Sequence, residues 1–289
     1  ILAFTNPGDR VLMQTPIYYP FYSSIRDNER ELVANPLKNN NGYYEIDFDD
    51  LERKLADNVQ VMILCSPHNP IGRVWKKHEL EEVLRLCRKY DVLIISDEIH
   101  SDLVFKGYKH IPVNSLSDEA YKKCITLISP TKTFNVAGLS TSAAIITDIN
   151  LQQKFRSTLI KSGAGMLNIF GLVAAEAAYT GCEKWLEELL EYLENNLDIL
   201  VEYFKNCIPQ IKVIRPEATY LAWLDFSKLQ IQAEKINEFL VNKAGVGLND
   251  GITFGNEGHG FQRINFACPR KVLLEGLGRI KKAVQEISV

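Results

Sequence analysis

No two cysteines of this chain stand at Cys-x-x-Cys spacing. The six present (Cys65, Cys87, Cys124, Cys182, Cys207 and Cys268) are scattered. Neither a disulfide framework nor a thiolate metal site is expected, and the thiols read as buried side chains in a reducing cytoplasm. His68, His78, His100, His110 and His259 lack metal-ligand spacing, so no metal is expected either. No apolar run reaches the ~18 residues that span a bilayer. No stretch reads as a secretory signal, so no membrane partner is expected. Basic blocks and aromatic-basic stripes are missing, and the net charge is −3, which argues against nucleic acid. Repeats, low-complexity tracts and flexible linkers are missing too. The first residue is not Met. Ile1-Leu2-Ala3-Phe4-Thr5 reads as the last turn of a helix, closed by Asn6-Pro7-Gly8. A domain rarely begins inside a helix, so the expectation is a chain without its N-terminal part.

What is present is an ordinary globular composition, 46% hydrophobic and 24% charged over 289 residues. Apolar runs at Arg10 to Gln14, Glu31 to Ala34, Val59 to Leu64, Val92 to Ser96, Ile125 to Ile128 and Ala143 to Ile146 predict strands. An amphipathic helix over His78 to Tyr90 interleaves with them. This alternation predicts an α/β fold: a mainly parallel sheet in a large domain, sandwiched by helices. A long helix is predicted over Glu183 to Phe204. Beyond it come strands at Ile211 to Ile214, Tyr220 to Leu224 and Gln262 to Phe266, with helices near Ala233 to Ala244 and Lys271 to Ile287. The expected division is a large domain over 1–185 and a smaller C-terminal α+β domain over 186–289.

Ligands of such sheets bind at the carboxyl ends of the strands, so those ends carry the chemistry. Lys132 lies just past the strand Ile125 to Ile128, flanked by Ser129, Thr131 and Thr133. Alone it would read as a surface lysine in a turn. At a buried strand end it reads instead as an amine with a lowered pKa, able to bond an aldehyde. Asp97 ends another strand, where a buried carboxylate needs a cation; the plain alternative is a helix cap. Asn69-Pro70 follows a third strand and predicts a cis bond in a tight turn, with the Asn69 amide free to donate. Tyr18, after the first strand, offers a ring for stacking on a flat heterocycle. Arg263, on a late strand, could grip a carboxylate with two parallel bonds, or form an ordinary salt bridge.

Taken in order, six segments resemble the pyridoxal-phosphate-dependent aminotransferase class I/II superfamily (fold type I). They are Asn6 to Val11, Pro16 to Tyr22, Ser66 to Pro70, Ser96 to Leu103, Ser129 to Leu139, and Arg263 to Arg270. Asp97-Glu98-Ile99-His100, Lys132 to Leu139 and Ala267-Cys268-Pro269-Arg270 resemble its cystathionine β-lyase branch of the MalY/PatB type. The resemblance implies pyridoxal 5′-phosphate as cofactor and an amino acid as substrate. It implies that Lys132 bonds the cofactor and shuttles the Cα proton, and that Asp97 keeps the ring nitrogen protonated. Asn69 would bind the ring oxygen, Tyr18 would stack on the ring, and Ser129 with Thr131 would bind the phosphate. Arg263 would hold the substrate α-carboxylate. His100 stands where relatives often carry a tyrosine that touches the ring oxygen. Many aminotransferases have a phosphate-binding arginine where this chain has Ser140; the lyase branch often lacks it.

The implied reaction is α,β-elimination on cystathionine or cysteine, giving pyruvate, ammonia and a thiol. An aminotransferase on the same residues is the alternative. A non-enzymatic regulator retaining the fold is a second, which the intact Lys132, Asp97, Asn69 and Arg263 set disfavours. The resemblance also implies a homodimer, with Gly163 to Asn168 near its interface. Relatives begin earlier by about a quarter of their length. The part they carry there helps to hold the phosphate, so at this length an incomplete cofactor site is expected.

Overall fold

The strands form where apolar β-branched runs lie, and their order creates the site. In the computed structural model, which describes residues 1–287, the strands are β1 (Arg10–Thr15), β2 (Glu31–Pro36), β3 (Lys38–Asn40), β4 (Tyr43–Glu45), β5 (Val59–Cys65), β6 (Leu93–Asp97), β7 (Cys124–Ile128), β8 (Ala143–Ile145), β9 (Lys212–Ile214), β10 (Leu221–Asp225), β11 (Asn249–Asp250) and β12 (Phe261–Asn265). Six of them make one sheet in the order β2-β1-β5-β6-β7-β8, parallel except for β8 at its edge. The central strands β1 and β5 are buried almost throughout, as expected of a parallel sheet covered on both faces. A second sheet, β11-β12-β10-β9, is antiparallel and comes wholly from the C-terminal third.

Helix Lys77–Lys89 turns Leu80, Val83, Leu86 and Cys87 onto the large sheet. Helix Glu183–Cys207 buries Leu193, Leu197, Leu200 and Phe204 on the smaller unit, against Leu277 and Ile280 of helix Arg270–Ile287. One predicted helix differs. The Ala233 to Ala244 segment opens as a 3₁₀ turn, continues as a short α-helix over Ile236–Phe239, and widens into a π-helical turn over Leu240–Ala244. Gly245 then closes it in the left-handed region at φ +62°. The helices Ile149–Lys161 and Ile169–Gly181 follow β8. They leave Ile160, Met166, Leu167, Ile169, Phe170 and Val173 exposed.

The two sheets are tied at Gly72-Arg73. Gly72 has φ +70°, and a Cβ there would lie 2.2 Å from Cβ of Pro216, so the 216–218 segment passes where only glycine fits. Its carbonyl accepts from the backbone N–H of Glu217 (2.9 Å) and Ala218 (3.1 Å). Next to it the buried Arg73 guanidinium pairs with Glu79 (2.9 Å) and Glu217 (3.2 Å) and donates to the Tyr44 carbonyl. Glu217 also accepts from Val74 N–H at 2.7 Å. Removing this cation would leave two buried carboxylates facing each other. Arg73→Ala is expected to cost about 3–5 kcal/mol of unfolding free energy, read by urea denaturation. A loss below about 1 kcal/mol would mean that the cluster is solvated like a surface pair.

Candidate active site

Four adjacent parallel strands, β1, β5, β6 and β7, deliver side chains to one point beyond their carboxyl ends. Tyr18 follows β1, Asn69 follows β5, Asp97 ends β6 with His100 just after it, and Lys132 follows β7. Arg263 arrives from the opposite side on β12. These six line one cavity of about 160 Å³, together with Cys65, Tyr220 and Asn249, among others. Ser129 and Thr131 do not line it, although they flank Lys132 in the chain. The Asn69-Pro70 bond is cis, as the sequence predicts.

The charged groups around this cavity are short of partners. Asp97 is buried and accepts one bond, from the Ile99 N–H at 3.2 Å. Burial pushes its carboxyl up from 3.8 to about 6; neighbouring Glu98 adds to the rise, while the Ile99 N–H and Lys132 hold it back. Glu98, the next residue, is satisfied instead. It accepts from Ser96 Oγ (2.8 Å), the Val113 N–H (3.0 Å) and His110 Nε2 (2.8 Å). The Asp97-Glu98 pair thus separates a braced carboxylate from one left open towards the cavity.

Arg263 is buried as well. Its Nη1 donates to Asn69 Oδ1 and its Nη2 to Asn249 Oδ1, both at 2.9 Å, and its Nε has no partner among the described residues. The guanidinium carbon stands 4.8 Å from the Phe254 ring centroid. No carboxylate pairs with it among the described residues, and burial lowers its pKa. His100 packs edge-on against Tyr220, at 5.7 Å between centroids, with Nδ1 buried and without a partner among the described residues. Burial, together with the Lys132 and Arg263 cations, brings its pKa down to about 3, so the ring is neutral. Tyr18 touches Tyr19 (5.2 Å) and Phe21 (5.9 Å) and is half-buried, its phenol pKa raised by that burial.

Lys132 sits in the single helical turn Pro130–Thr133. The amine makes no hydrogen bond or ion pair among the described residues, so it is the turn that is held. Thr133 Oγ1 donates to Asp102 Oδ2 at 2.9 Å. Ser129 caps the turn, accepting from the Thr131 N–H at 3.2 Å. The Ser129 hydroxyl donates to the Thr141 carbonyl at 2.7 Å, so at their 2.6 Å contact the donor is Thr131 Oγ1. Both hydroxyl protons are committed to protein acceptors, that of Thr131 to Ser129 and that of Ser129 to Thr141.

The family model for aminotransferase class I and II matches residues 1–280. The chain belongs to this family. It is 43% identical over 285 residues to cystathionine beta-lyase PatB of Bacillus subtilis, covering 98% of this chain and 74% of that protein. Protein MalY of Escherichia coli is 34% identical, with 99% and 73% covered. Among solved structures, cystalysin from Treponema denticola, which contains pyridoxal 5′-phosphate, superposes with a TM-score of 0.96 at 39% identity, covering 99% of this chain and 73% of that one. The aminotransferase-family fold is the one expected from the sequence, with its mainly parallel sheet and smaller α+β unit. Sequence reasoning missed Asn249 and Tyr220 as cavity residues. Asn249 lies in Leu248-Asn249-Asp250-Gly251, which reads as a turn.

Asp97 also makes a prediction for the cofactor-free protein. A raised folded pKa means that the folded chain keeps a proton the unfolded chain has released. Asp97 therefore lowers stability progressively as pH rises from 3.8 to about 6, and by a constant amount above. Asp97→Asn should be more stable than wild type at pH 7.5, by on the order of 2–3 kcal/mol. The advantage should fade towards pH 4. Urea titrations at the two pH values measure it, and equal advantages at both would rule out an open carboxylate.

Proposed function

We propose that this chain is a pyridoxal-phosphate-dependent C–S β-lyase acting on cystathionine, cysteine or a similar thiol amino acid. The observation that carries this reading is the convergence of Lys132, Asp97 and Arg263 on one cavity, none of them in an ion pair among the described residues. A flat heterocycle with a basic nitrogen and an acidic oxygen, bonded to an amine and joined by a carboxylate substrate, would match each of them. The unpartnered His100 Nδ1 and the cavity-lining Asn69 suit the oxygen of such a ring. On this observation the residues present fit pyridoxal phosphate.

When bound, the cofactor supplies an electron sink for charge developing at the substrate Cα. The protein's own groups do the rest. Lys132 would hold the cofactor covalently and, freed when the substrate amino group takes its place, would accept the proton from Cα. Asp97 keeps the ring nitrogen protonated, and that cation in turn keeps Asp97 ionised. Tyr18 stacks on the ring; Asn69 and His100 address its oxygen. Ser129 and Thr131 would bind the phosphate by turning hydroxyl protons away from each other and from Thr141. Arg263 orients the substrate through its α-carboxylate. As the Cα–H bond breaks, the proton moves to Lys132. The Cβ–S bond breaks next, and its electron pair leaves on sulfur, which is protonated to a thiol. The proton held by Lys132 goes to that sulfur, and Lys132 would then retake its bond to the cofactor and free the three-carbon enamine, which takes up water and yields pyruvate and ammonia.

An aminotransferase would use the same residues and differ only in where the proton is returned. A solved structure of a pyridoxal-phosphate-bound putative aminotransferase from Clostridium difficile, 46% identical with a TM-score of 0.95, keeps that reading in view. Incubation with cystathionine, and separately with an amino acid plus a keto acid, decides between them. Pyruvate with free thiol is expected; a new amino acid without thiol would make the protein a transaminase. Lys132→Ala should lose at least about a thousandfold in turnover, since nucleophile and proton carrier vanish together. Borohydride reduction of the holoprotein should fix the cofactor on the Lys132 peptide; a label elsewhere would overturn the assignment.

A homodimer in the cytoplasm belongs to the same reading, as does a division into domains near residue 185. The dimer is supported by the apolar face around helices Ile149–Lys161 and Ile169–Gly181, where Met166 is 93% exposed and Phe170 74%. The cytoplasm is supported by six unpaired thiols. Among the described residues no helix is long and apolar enough to cross a membrane. Sedimentation should give twice the chain mass, and Phe170→Asp should shift it towards the monomer.

A further inference from the structure

β11 is only two residues long, yet it sets the electrostatics of Arg263. Asn249 lies directly opposite Arg263 in the antiparallel pair, and Asp250 lies opposite Gln262. Side chains alternate along a strand, so the amide and the carboxylate face opposite sides. Asn249 Oδ1 accepts from Arg263 Nη2 at 2.9 Å. The Asp250 carboxylate is directed elsewhere, accepting from Gln262 Nε2 at 3.1 Å and from the Ile252 N–H at 3.4 Å. A slip of one residue could place Asp250 opposite Arg263, a carboxylate on the guanidinium.

The register is locked by close backbone contact. A Cβ on Gly251 would lie 2.2 Å from the Gly258 carbonyl oxygen, and a Cβ on Gly258 would lie 1.9 Å from that of Gly251. The same segment carries Phe254, whose ring backs Arg263 and whose carbonyl accepts from the Ile17 N–H and Tyr22 hydroxyl, each at 2.9 Å. The bracket from Asn249 to Gly258 therefore spans from Arg263 to the loop that bears Tyr18.

We propose that Asn249 is a positioning and specificity residue. Its neutral amide fixes the plane of Arg263 without neutralising it, so that the full charge is kept for the carboxylate of the incoming amino acid. This rests on the reading of Arg263 as the α-carboxylate site. Two amide oxygens, from Asn69 and Asn249, fill the two Nη positions where a structural arginine would take a carboxylate. Asn249 is itself solvent-exposed, so its substitution leaves the core untouched.

The test uses the cofactor-loaded protein and two ligands, L-alanine and L-alaninamide. They differ only in the carboxylate, and binding is read from the cofactor's visible absorbance. Asn249→Asp should raise the L-alanine Kd at least tenfold and leave the L-alaninamide Kd within twofold. Asn249→Ala, which frees the Nη2 without adding charge, should weaken L-alanine by a smaller factor. With cystathionine, Asn249→Asp should raise KM more than it lowers kcat. If Asn249→Asp leaves L-alanine within twofold while Arg263→Ala abolishes the preference for L-alanine over the amide, the inference fails and the Arg263 reading stands. If both ligands weaken equally in both Asn249 variants, the role is merely structural and the inference is overturned. If Arg263→Ala changes neither ligand, the Arg263 reading fails and the inference falls with it.

Discussion

Burying a charge without a counterion is among the costliest things a folded chain can do. Here it is done on both sides of one cavity. Among the described residues, Asp97 at the end of β6 accepts only a backbone N–H, and Arg263 on β12 is held by two neutral amides. Elsewhere buried charges are compensated more completely, as Arg73 is by Glu79 and Glu217, or Glu98 by three donors. The contrast lies in placement. The compensated charges hold the two sheets and the loop after β6 together, and the uncompensated ones face the cavity. A ligand carrying a cation at one end and a carboxylate at the other would complete what the fold leaves open.

The rest of the architecture serves that arrangement. Four neighbouring parallel strands aim their ends at one point, and the antiparallel sheet supplies the facing wall. The tie at Gly72-Arg73 fixes that wall relative to the floor. The Lys132 turn is braced through its neighbours, Ser129 to Thr141 and Thr133 to Asp102, while the amine itself is left unengaged. Rigid neighbours around an unengaged nucleophile are what preorganisation requires.

Much of this was legible in the sequence. The strand ends could be read because continuous apolar runs mark buried parallel strands, and a Lys, an Asp or an Asn just beyond such a run is conspicuous. Arg263 was legible differently, as a charged residue inside the strand-like segment Gln262 to Phe266. Asn249 could not, because a two-residue strand has no alternation to detect and Asn-Asp-Gly is a turn signal. The widened turn over Leu240–Ala244 was invisible too, since helical periodicity does not separate α from π over five residues. Nor does sequence show where hydroxyl protons go: Ser129 and Thr131 were expected to face a phosphate, and here they bond each other.

Asp97 is an open carboxylate awaiting a cation. Carbon-detected NMR of its carboxyl group, titrated in the cofactor-free and cofactor-loaded protein, tests it most directly. The expected midpoint is near pH 6 in the free protein, and the carboxylate should stay ionised from about pH 5 to 8 in the loaded one. The same midpoint in both states would contradict it.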